Sequence, residues 1–118
     1  MAQLSSHQGR NSVAVAENKT LAAADQGIVQ NVTADATITL PATAADVTFT
    51  IRNASEVGGV TVNVSPAAAD QLIGNGFTAA DNKDAINAGE FGDEITVVGN
   101  GTTGYHIVEV VGEWTREA

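Results

Sequence analysis

The sequence predicts an all-β protein, a β-sandwich or a β-barrel. Apolar and polar residues alternate with a period of two over several short runs, the pattern of strands with one buried face. Turn-forming residues separate these runs at intervals of roughly ten residues, as in sandwiches and barrels. The Ala-rich links at 41–46 and 66–71 are too short and too close to proline to form independent helices.

The alternation is clearest in three runs in the middle of the chain. These are "TITLP" at 37–41, "VTFTIRN" at 47–53 and "VTVNVS" at 60–65, and Pro41 ends the first strand. Further strands are predicted at 94–99 and 105–112, with weaker candidates at 12–16, 27–32 and 71–74. The segment 79–88 is expected to form one helical turn at most.

The predicted core is built from small side chains. Ala and Val dominate the apolar residues, and the large aromatics are few. The residues expected to point inward from the central strands are Val47, Phe49, Ile51, Val60, Val62 and Val64. Because each buried methylene contributes only about 0.8 kcal/mol, such a core is thin and favours association with a partner.

The run "VVGNGTTGYHIVEVVGEW" at 97–114 holds the only Trp, the only Tyr and one of the two His. Its segment "GNGTTG" lies between two Val-rich strands, and Gly and Asn tolerate the positive φ of tight turns, so a hairpin is predicted. Either the second strand is buried on both faces or a bulge near position 107 shifts its phase. His106 is expected to be a strand histidine, not a catalytic base.

One domain of the β-sandwich class is expected at 20–118, preceded by a short polar arm at 1–19. The first twelve positions are rich in Ser, Gln, Asn and His. The first twenty residues carry a charge of +1 and the remainder carries −10. Such a segment is usually a disordered terminus, and it could instead order on a partner.

Charge and composition exclude several classes of function. The net charge of −9 argues against direct binding of nucleic acid and of acidic membrane surfaces. The absence of Cys excludes disulfides and thiolate metal sites. The N-terminus lacks the apolar region of a signal peptide, so synthesis in the cytoplasm is expected. The five N-x-S/T triplets are therefore interpreted as strand and turn residues, not as glycosylation sites.

The sequence carries no catalytic constellation, so a non-enzymatic protein without cofactors is predicted. A nucleophile needs a base and an orienting acid, and no Ser lies in an elbow motif. The acidic segment 81–94 has oxygen donors at close spacing but lacks the D-x-D-x-D-G pattern of a calcium loop, and Lys83 interrupts it. A solvated acidic loop is predicted there, with cation binding left open.

Several short motifs follow one another along the chain: Leu40-Pro41, the segment Pro66…Asp70…Ile73-Gly74, Gly92-Asp93, Gly99-x-Gly101 and Gly112-x-Trp114. Their order resembles that of the capsid decoration, or cement, proteins of tailed bacteriophages. The resemblance covers about residues 21–114, and only the order of the motifs is specific. Two positions depart from the pattern, since Tyr105 replaces an expected Trp and Asp46 replaces a common turn Gly.

The resemblance implies a sandwich of jelly-roll type that binds the outer surface of an assembled capsid. It also implies a homotrimer that clamps neighbouring copies of the major capsid protein and is located on the virion. The arm residues assigned to possible capsid contact are Gln3, Leu4, His7, Arg10 and Lys19. The residues assigned to possible subunit contact are Trp114 and Arg116, with a core position for Trp114 as the alternative. The main alternative function is a receptor-binding module of a phage tail fibre or spike. A second alternative is a small carbohydrate-binding or hydrolytic β-domain, for which Trp114 and Tyr105 are the only strong aromatic candidates.

Overall fold

The computed structural model describes residues 11–67, 69–77 and 80–118, and within them the chain is all-β. The strands are β1 Asn11–Val15, β2 Lys19–Thr20, β3 Ile28–Val32, β4 Ala36–Thr39, β5 Thr48–Asn53, β6 Val62–Ser65, β7 Gln71–Ile73, β8 Ala85–Asn87, β9 Glu94–Gly99, β10 Gly104–Val111 and β11 Thr115–Arg116. The described residues contain no α-helix, and one short 3₁₀ turn spans Ala23–Asp25. The all-β prediction is confirmed.

The strands form two mixed sheets, an arrangement compatible with a β-sandwich. The six-stranded sheet has the order β1-β3-β5-β9-β10-β7, and the five-stranded sheet has the order β11-β8-β6-β4-β2. One contiguous hydrophobic core includes residues of both sheets. Of the six side chains predicted to point inward, five are buried, and Val47 is partly buried and packs against the core.

The first six strands alternate between the two sheets, so the chain winds in three successive turns of a solenoid. Each turn, called a coil below, has one strand in each sheet. β1, β3 and β5 pair in parallel within one sheet, and β2, β4 and β6 pair in parallel within the other. The coils span residues 11–27, 28–47 and 48–70. Each coil therefore stacks on the next by the backbone bonding of parallel sheets.

Side chains reinforce this stacking where the chain enters the five-stranded sheet. The Asn18 side-chain oxygen accepts the Thr37 N–H at 2.8 Å, and one coil later the Asp35 carboxylate accepts the Thr61 N–H at 2.8 Å. At the opposite corner, the Leu21 N–H donates to the Thr39 carbonyl at 2.8 Å. Equivalent groups thus make equivalent bonds in successive coils, which reveals an internal repeat that the alternation of residues did not show.

The C-terminal part closes the coils with mainly antiparallel strands. β9 pairs with β5 and with β10, and β8 pairs with β6 and β11. The loop between β9 and β10 is the predicted hairpin, in which the Asn100 side-chain oxygen accepts the N–H groups of Thr102, Thr103 and Gly104 at 2.9, 2.9 and 3.1 Å. The β9–β10 register shifts between Ile107 and Glu109, so of the two alternatives left open for this strand, the structure shows the bulge.

Two features differ from the sequence-based expectations. Strand β8 lies in a segment for which one helical turn at most was expected, and it forms because its small inward side chains, Ala85 and Asn87, are both buried. The parallel pairs among β1 to β6 are also not what a jelly roll suggests, because Greek-key connections join antiparallel strands. Alternation of residues is the same in both kinds of pairing.

Part of the segment assigned to the arm lies within the sheets. β1 pairs with β3 and β2 pairs with β4, so both belong to the first coil. Residues 1–10 lie outside the described residues. The division of the chain at residue 19 stays a prediction, and in the description that follows the term arm refers to residues 1–10.

Candidate interaction surfaces

The motif residues Pro41 and Asp70 make hydrogen bonds with residues that are distant in sequence, at the end of the molecule where β5 begins and β9 ends. The Tyr105 hydroxyl donates to the Pro41 carbonyl at 2.8 Å. The Thr43 N–H donates to the Asp70 carboxylate at 2.8 Å, and the Thr43 hydroxyl donates to the Gly104 carbonyl at 2.6 Å. These bonds join the second coil to the β9–β10 hairpin and to Asp70. The cluster therefore has a structural role.

Burial decides what Tyr105 can do chemically. Its side chain is fully buried and packs against Phe49 with 6.1 Å between ring centroids. Burial, and secondarily the charge of Asp70, raises the pKa of Tyr105 to about 12. The phenol is therefore protonated at neutral pH, where it acts as a hydrogen-bond donor to Pro41.

A second polar cluster lies at the opposite end of β5. The Asn53 side-chain amide donates to the Asn87 side-chain oxygen at 3.0 Å and to the Val60 carbonyl at 3.2 Å. Asn87 in turn donates to the Asp93 carboxylate at 3.0 Å. The cluster thereby ties the motif Gly92-Asp93 to both sheets. Asn53 is also 1% exposed, so its N-x-S triplet is closed to glycosylation in the folded chain.

The predicted subunit-contact residues occupy different environments. Trp114 is buried in the core, and its indole N–H donates to the Val111 carbonyl at 3.1 Å. This is the alternative that the sequence left open for Trp114. Arg116 is half-buried on β11, which is an edge strand of the five-stranded sheet. Arg116 is therefore closer to a free surface than Trp114.

Of the residues predicted to contact a capsid, the structure describes Lys19 alone. Its ammonium group donates to the Gln30 side-chain oxygen at 2.8 Å and lies 3.7 Å from the Asp25 carboxylate. Lys19 thus lies at the open end of the first coil and has partners within the chain. Gln3, Leu4, His7 and Arg10 lie outside the described residues, so their assignment to capsid contact stays a prediction.

The acidic segment 81–94 is organised mainly by bonds within the protein. Asp81 accepts a bond from the Gln71 side chain at 2.8 Å, and Glu90 donates its N–H to Asp93 at 3.0 Å. The pKa of Asp84 is raised above its ordinary value. Burial is the main cause and the nearby charge of Glu117 adds to it, while a hydrogen bond from Ser65 acts in the opposite direction. Among the described residues, no group of three or more His, Asp or Glu side chains is placed to hold a metal ion.

His106 lies on strand β10, as predicted. Its side chain is exposed, and its Nε2 lies 3.3 Å from the Asn100 amide nitrogen. Within the part of the chain that the structure describes, no helix has the length and apolar character needed to cross a bilayer.

Sequence reasoning missed two exposed features. The first is a set of apolar side chains around β10: Phe91, which packs over the Arg52 guanidinium at 4.9 Å, and the exposed Val108 and Val111. The second is the free edge of β1, where residues 11–14 are exposed. A recess of about 240 Å³, lined by residues 14–19, adjoins this edge. The free edge of β1 could not be predicted from the sequence, because it depends on which strand lies outermost in the sheet.

Comparisons with family models, with curated proteins and with solved structures yielded no match for this chain.

Proposed function

We propose that this protein is a structural component of a bacteriophage virion, which binds the outer surface of an assembled capsid and clamps neighbouring capsid subunits. The observation that carries the proposal is the order of motifs along residues 21–114. The hydrogen bonds from Tyr105 to Pro41 and from Thr43 to Asp70 support it, since they give these two motif residues, Pro41 and Asp70, an architectural role. Such a role suits a protein that acts by binding through its surface.

The mechanism is linkage between binding and assembly. A protein that binds the assembled shell but not free capsid subunits stabilises the shell by RT ln(1 + [L]/Kd), where [L] is its free concentration. At a concentration of about 100 times Kd, this amounts to about 2.7 kcal/mol per site. The compact sheets supply a rigid body for clamping, and the arm supplies added reach.

The finer parts of the proposal are a homotrimer and a jelly-roll topology. A trimer matches the three-fold positions of a capsid lattice, where three equivalent contacts form at once. The antiparallel strands β5, β9 and β10 agree with a jelly roll, whereas the parallel coils do not. Capsid binding does not depend on that topology, because either connection presents sheet faces and edges to a shell.

Co-sedimentation tests the proposed function. Capsids assembled from the major capsid protein of the genome that encodes this chain should carry the protein into the pellet, with saturable binding. A chain lacking residues 2–10 should keep both sheets, because β1 begins at Asn11, and should bind the capsids more weakly. Absence of the full chain from the capsid pellet at any concentration would contradict the proposal.

The open first coil gives some support to the alternative, a receptor-binding module of a tail fibre or spike. Parallel coils can continue by stacking on another coil, as in solenoid proteins, and the free edge of β1 is such a stacking position. This alternative predicts saturable binding to host cells and none to capsids. Parallel binding assays on the two particles therefore separate the two functions.

A further inference from the structure

The free edge of β1 is the feature on which the inference rests. β1 is the outermost strand of the six-stranded sheet and pairs with β3 along all five of its residues. No other strand of the described residues lies on its free side. Residues 11–14 are exposed, and only Val15 is buried. A row of backbone N–H and C=O groups is therefore presented to solvent.

The other three edge strands are protected in ways that β1 is not. Proteins shield sheet edges with short strands, charged side chains, prolines or bulges. β2 and β11 have two residues each and carry Lys19 and Arg116, and β7 has three residues and a bridge from Gln71 to Asp81. β1 has five residues, no charge, no proline and an unbroken register. Among the strands that the structure describes, β1 is the one long edge open to pairing.

We propose that the free edge of β1 pairs with β1 of a second copy, antiparallel and about a two-fold axis at Val13. This register places Val13 opposite Val13, Ser12 opposite Ala14 and Asn11 opposite Val15. All the paired side chains are uncharged and small or medium in size, so they can meet without repulsion. Val13, which is 38% exposed in the single chain, gains an apolar neighbour.

The charges near β1 permit a second copy as the occupant. Residues 11–27 carry Glu17, Asp25 and Lys19, a net charge of −1, and the Lys19 ammonium lies 3.7 Å from the Asp25 carboxylate. Two copies can therefore meet through β1 with little repulsion. A strand that pairs antiparallel with its own copy presents the same surface on both sides, which is the requirement for a two-fold interface.

The distribution of charge along the molecule also favours contact at the coil end. Residues 11–69 carry five acidic and two basic side chains, whereas residues 70–118 carry nine acidic and two basic ones. Two copies that met through the C-terminal part would bring together their most acidic regions. Contact through β1 keeps those regions apart, which reduces repulsion between two chains of net charge −9.

This contact goes beyond the proposed function and does not require it. In a decorated shell, trimers at neighbouring three-fold positions are related by two-fold axes, where a β1–β1 pair would join one trimer to the next. In solution, the same pair would join two copies without a capsid. Since one strand pair is smaller than a standard stable interface, we expect the association to be weak and concentration-dependent.

Cysteine cross-linking tests the pair, because the natural chain has no Cys. Across an antiparallel pair the Cα atoms are about 4.5–5.5 Å apart, within the about 4.4–6.8 Å that a disulfide spans. A V13C variant should form covalent dimers under mild oxidation at least about tenfold faster than V57C, because a paired strand raises the local thiol concentration. Val57 is the matched control, a Val that is 89% exposed in a loop.

Two further variants test the register and the occupant. A mixture of S12C and A14C should give mixed dimers faster than either variant alone. V13K, which places two ammonium groups opposite each other, should shift sedimentation toward the smaller species, whereas V57K should not. Cross-linking of V13C no faster than of V57C would overturn the proposal. So would dimers that form only when residues 2–10 are deleted, since the arm would then be the occupant.

Capsid binding and the β1 pair can fail separately. If V13C forms dimers and the wild-type chain does not bind capsids, the proposed function is wrong and the β1 pair stands. If the wild-type chain binds capsids and V13C does not form dimers, the pair is wrong and the proposed function stands.

Discussion

At the scale of single residues, the two departures from the decoration-protein pattern have physical explanations. Asp46 occupies a turn with φ of +66°, the left-handed conformation for which Gly is common and which Asp tolerates. Tyr105 occupies a buried position, where its phenolic hydroxyl donates a hydrogen bond to the Pro41 carbonyl. Both residues therefore satisfy the geometry of the positions that they occupy.

Tyr105 allows a direct test by titration, because it is the only Tyr in the chain. Burial raises its pKa to about 12 from the ordinary value of 10.0. The absorbance of tyrosinate should therefore appear near pH 12 in the folded chain and near pH 10 in denaturant. Since the folded state favours the protonated phenol, its contribution to stability is complete below pH 10 and is lost as the pH rises to about 12. A folded-state midpoint near pH 10 would show that the phenol is solvated.

Substitution of Gly104 should destabilise the fold strongly. A Cβ at this residue would lie 2.0 Å from the Gln71 carbonyl oxygen, in the β7–β10 pair, where backbone atoms cannot move aside. We expect Gly104→Ala to lower the free energy of unfolding by about 3 kcal/mol or more. Gly27→Ala is the control, because Gly27 has a φ of +75° but no atom within 4 Å of its Cβ position. It should cost about 1–2 kcal/mol, and equal losses in denaturant unfolding would argue against close contact at Gly104.

At the scale of elements, alternation predicted the strands but not their partners. Strands β5, β6, β9 and β10 lie where the apolar runs predicted them, because each buries one face. Strand β8 was missed, since its three residues are too short for a period and include buried Asn87, whose burial depends partly on hydrogen bonds to Asn53 and Glu113, which are distant in sequence. The parallel coils were missed because pairing direction depends on backbone bonds between distant segments, and the exposed β1 edge was missed with them.

Hydrogen exchange should follow the order of the strands in the sheets. β5 and β9 are flanked by strands on both sides, whereas β2 and β11 are two-residue edge strands. Amides of β5 and β9 should therefore exchange only on global unfolding, and amides of β2 and β11 should exchange by local opening. Mass spectrometry of peptides over time gives the measurement. Exchange of β5 as fast as that of β11 would contradict the central position of β5.

At the scale of the whole molecule, the excess of acidic charge opposes the compact state. The net charge is −9, and most of it lies in residues 70–118, which close the coils. Like charges in a small volume repel, and dissolved salt screens that repulsion over a Debye length of about 10 Å at 0.1 M. The antiparallel half of the molecule is therefore the half whose stability depends more on ionic strength.

Salt should accordingly raise the melting temperature. Between low salt and 0.5 M NaCl, we expect an increase of a few degrees, because screening weakens repulsion among exposed carboxylates. Thermal unfolding followed by the fluorescence of Trp114, the only Trp in the chain, gives the measurement at neutral pH. A melting temperature that falls with salt would indicate that attractive ion pairs dominate.

The winding of β1 to β6 has a consequence for the length of the molecule. Each coil enters one sheet, crosses to the other and returns one step further along the stack, so the central coil at 28–47 meets a neighbour of the same kind on each side. If that segment were duplicated and inserted beside the original, its two strands could pair with a neighbouring strand on each side, through the same parallel backbone bonds. Growth by whole coils would lengthen both sheets together and leave the antiparallel closure and the first coil unchanged. The architecture is thus extensible along one axis, by gene duplication or by design, without a new core.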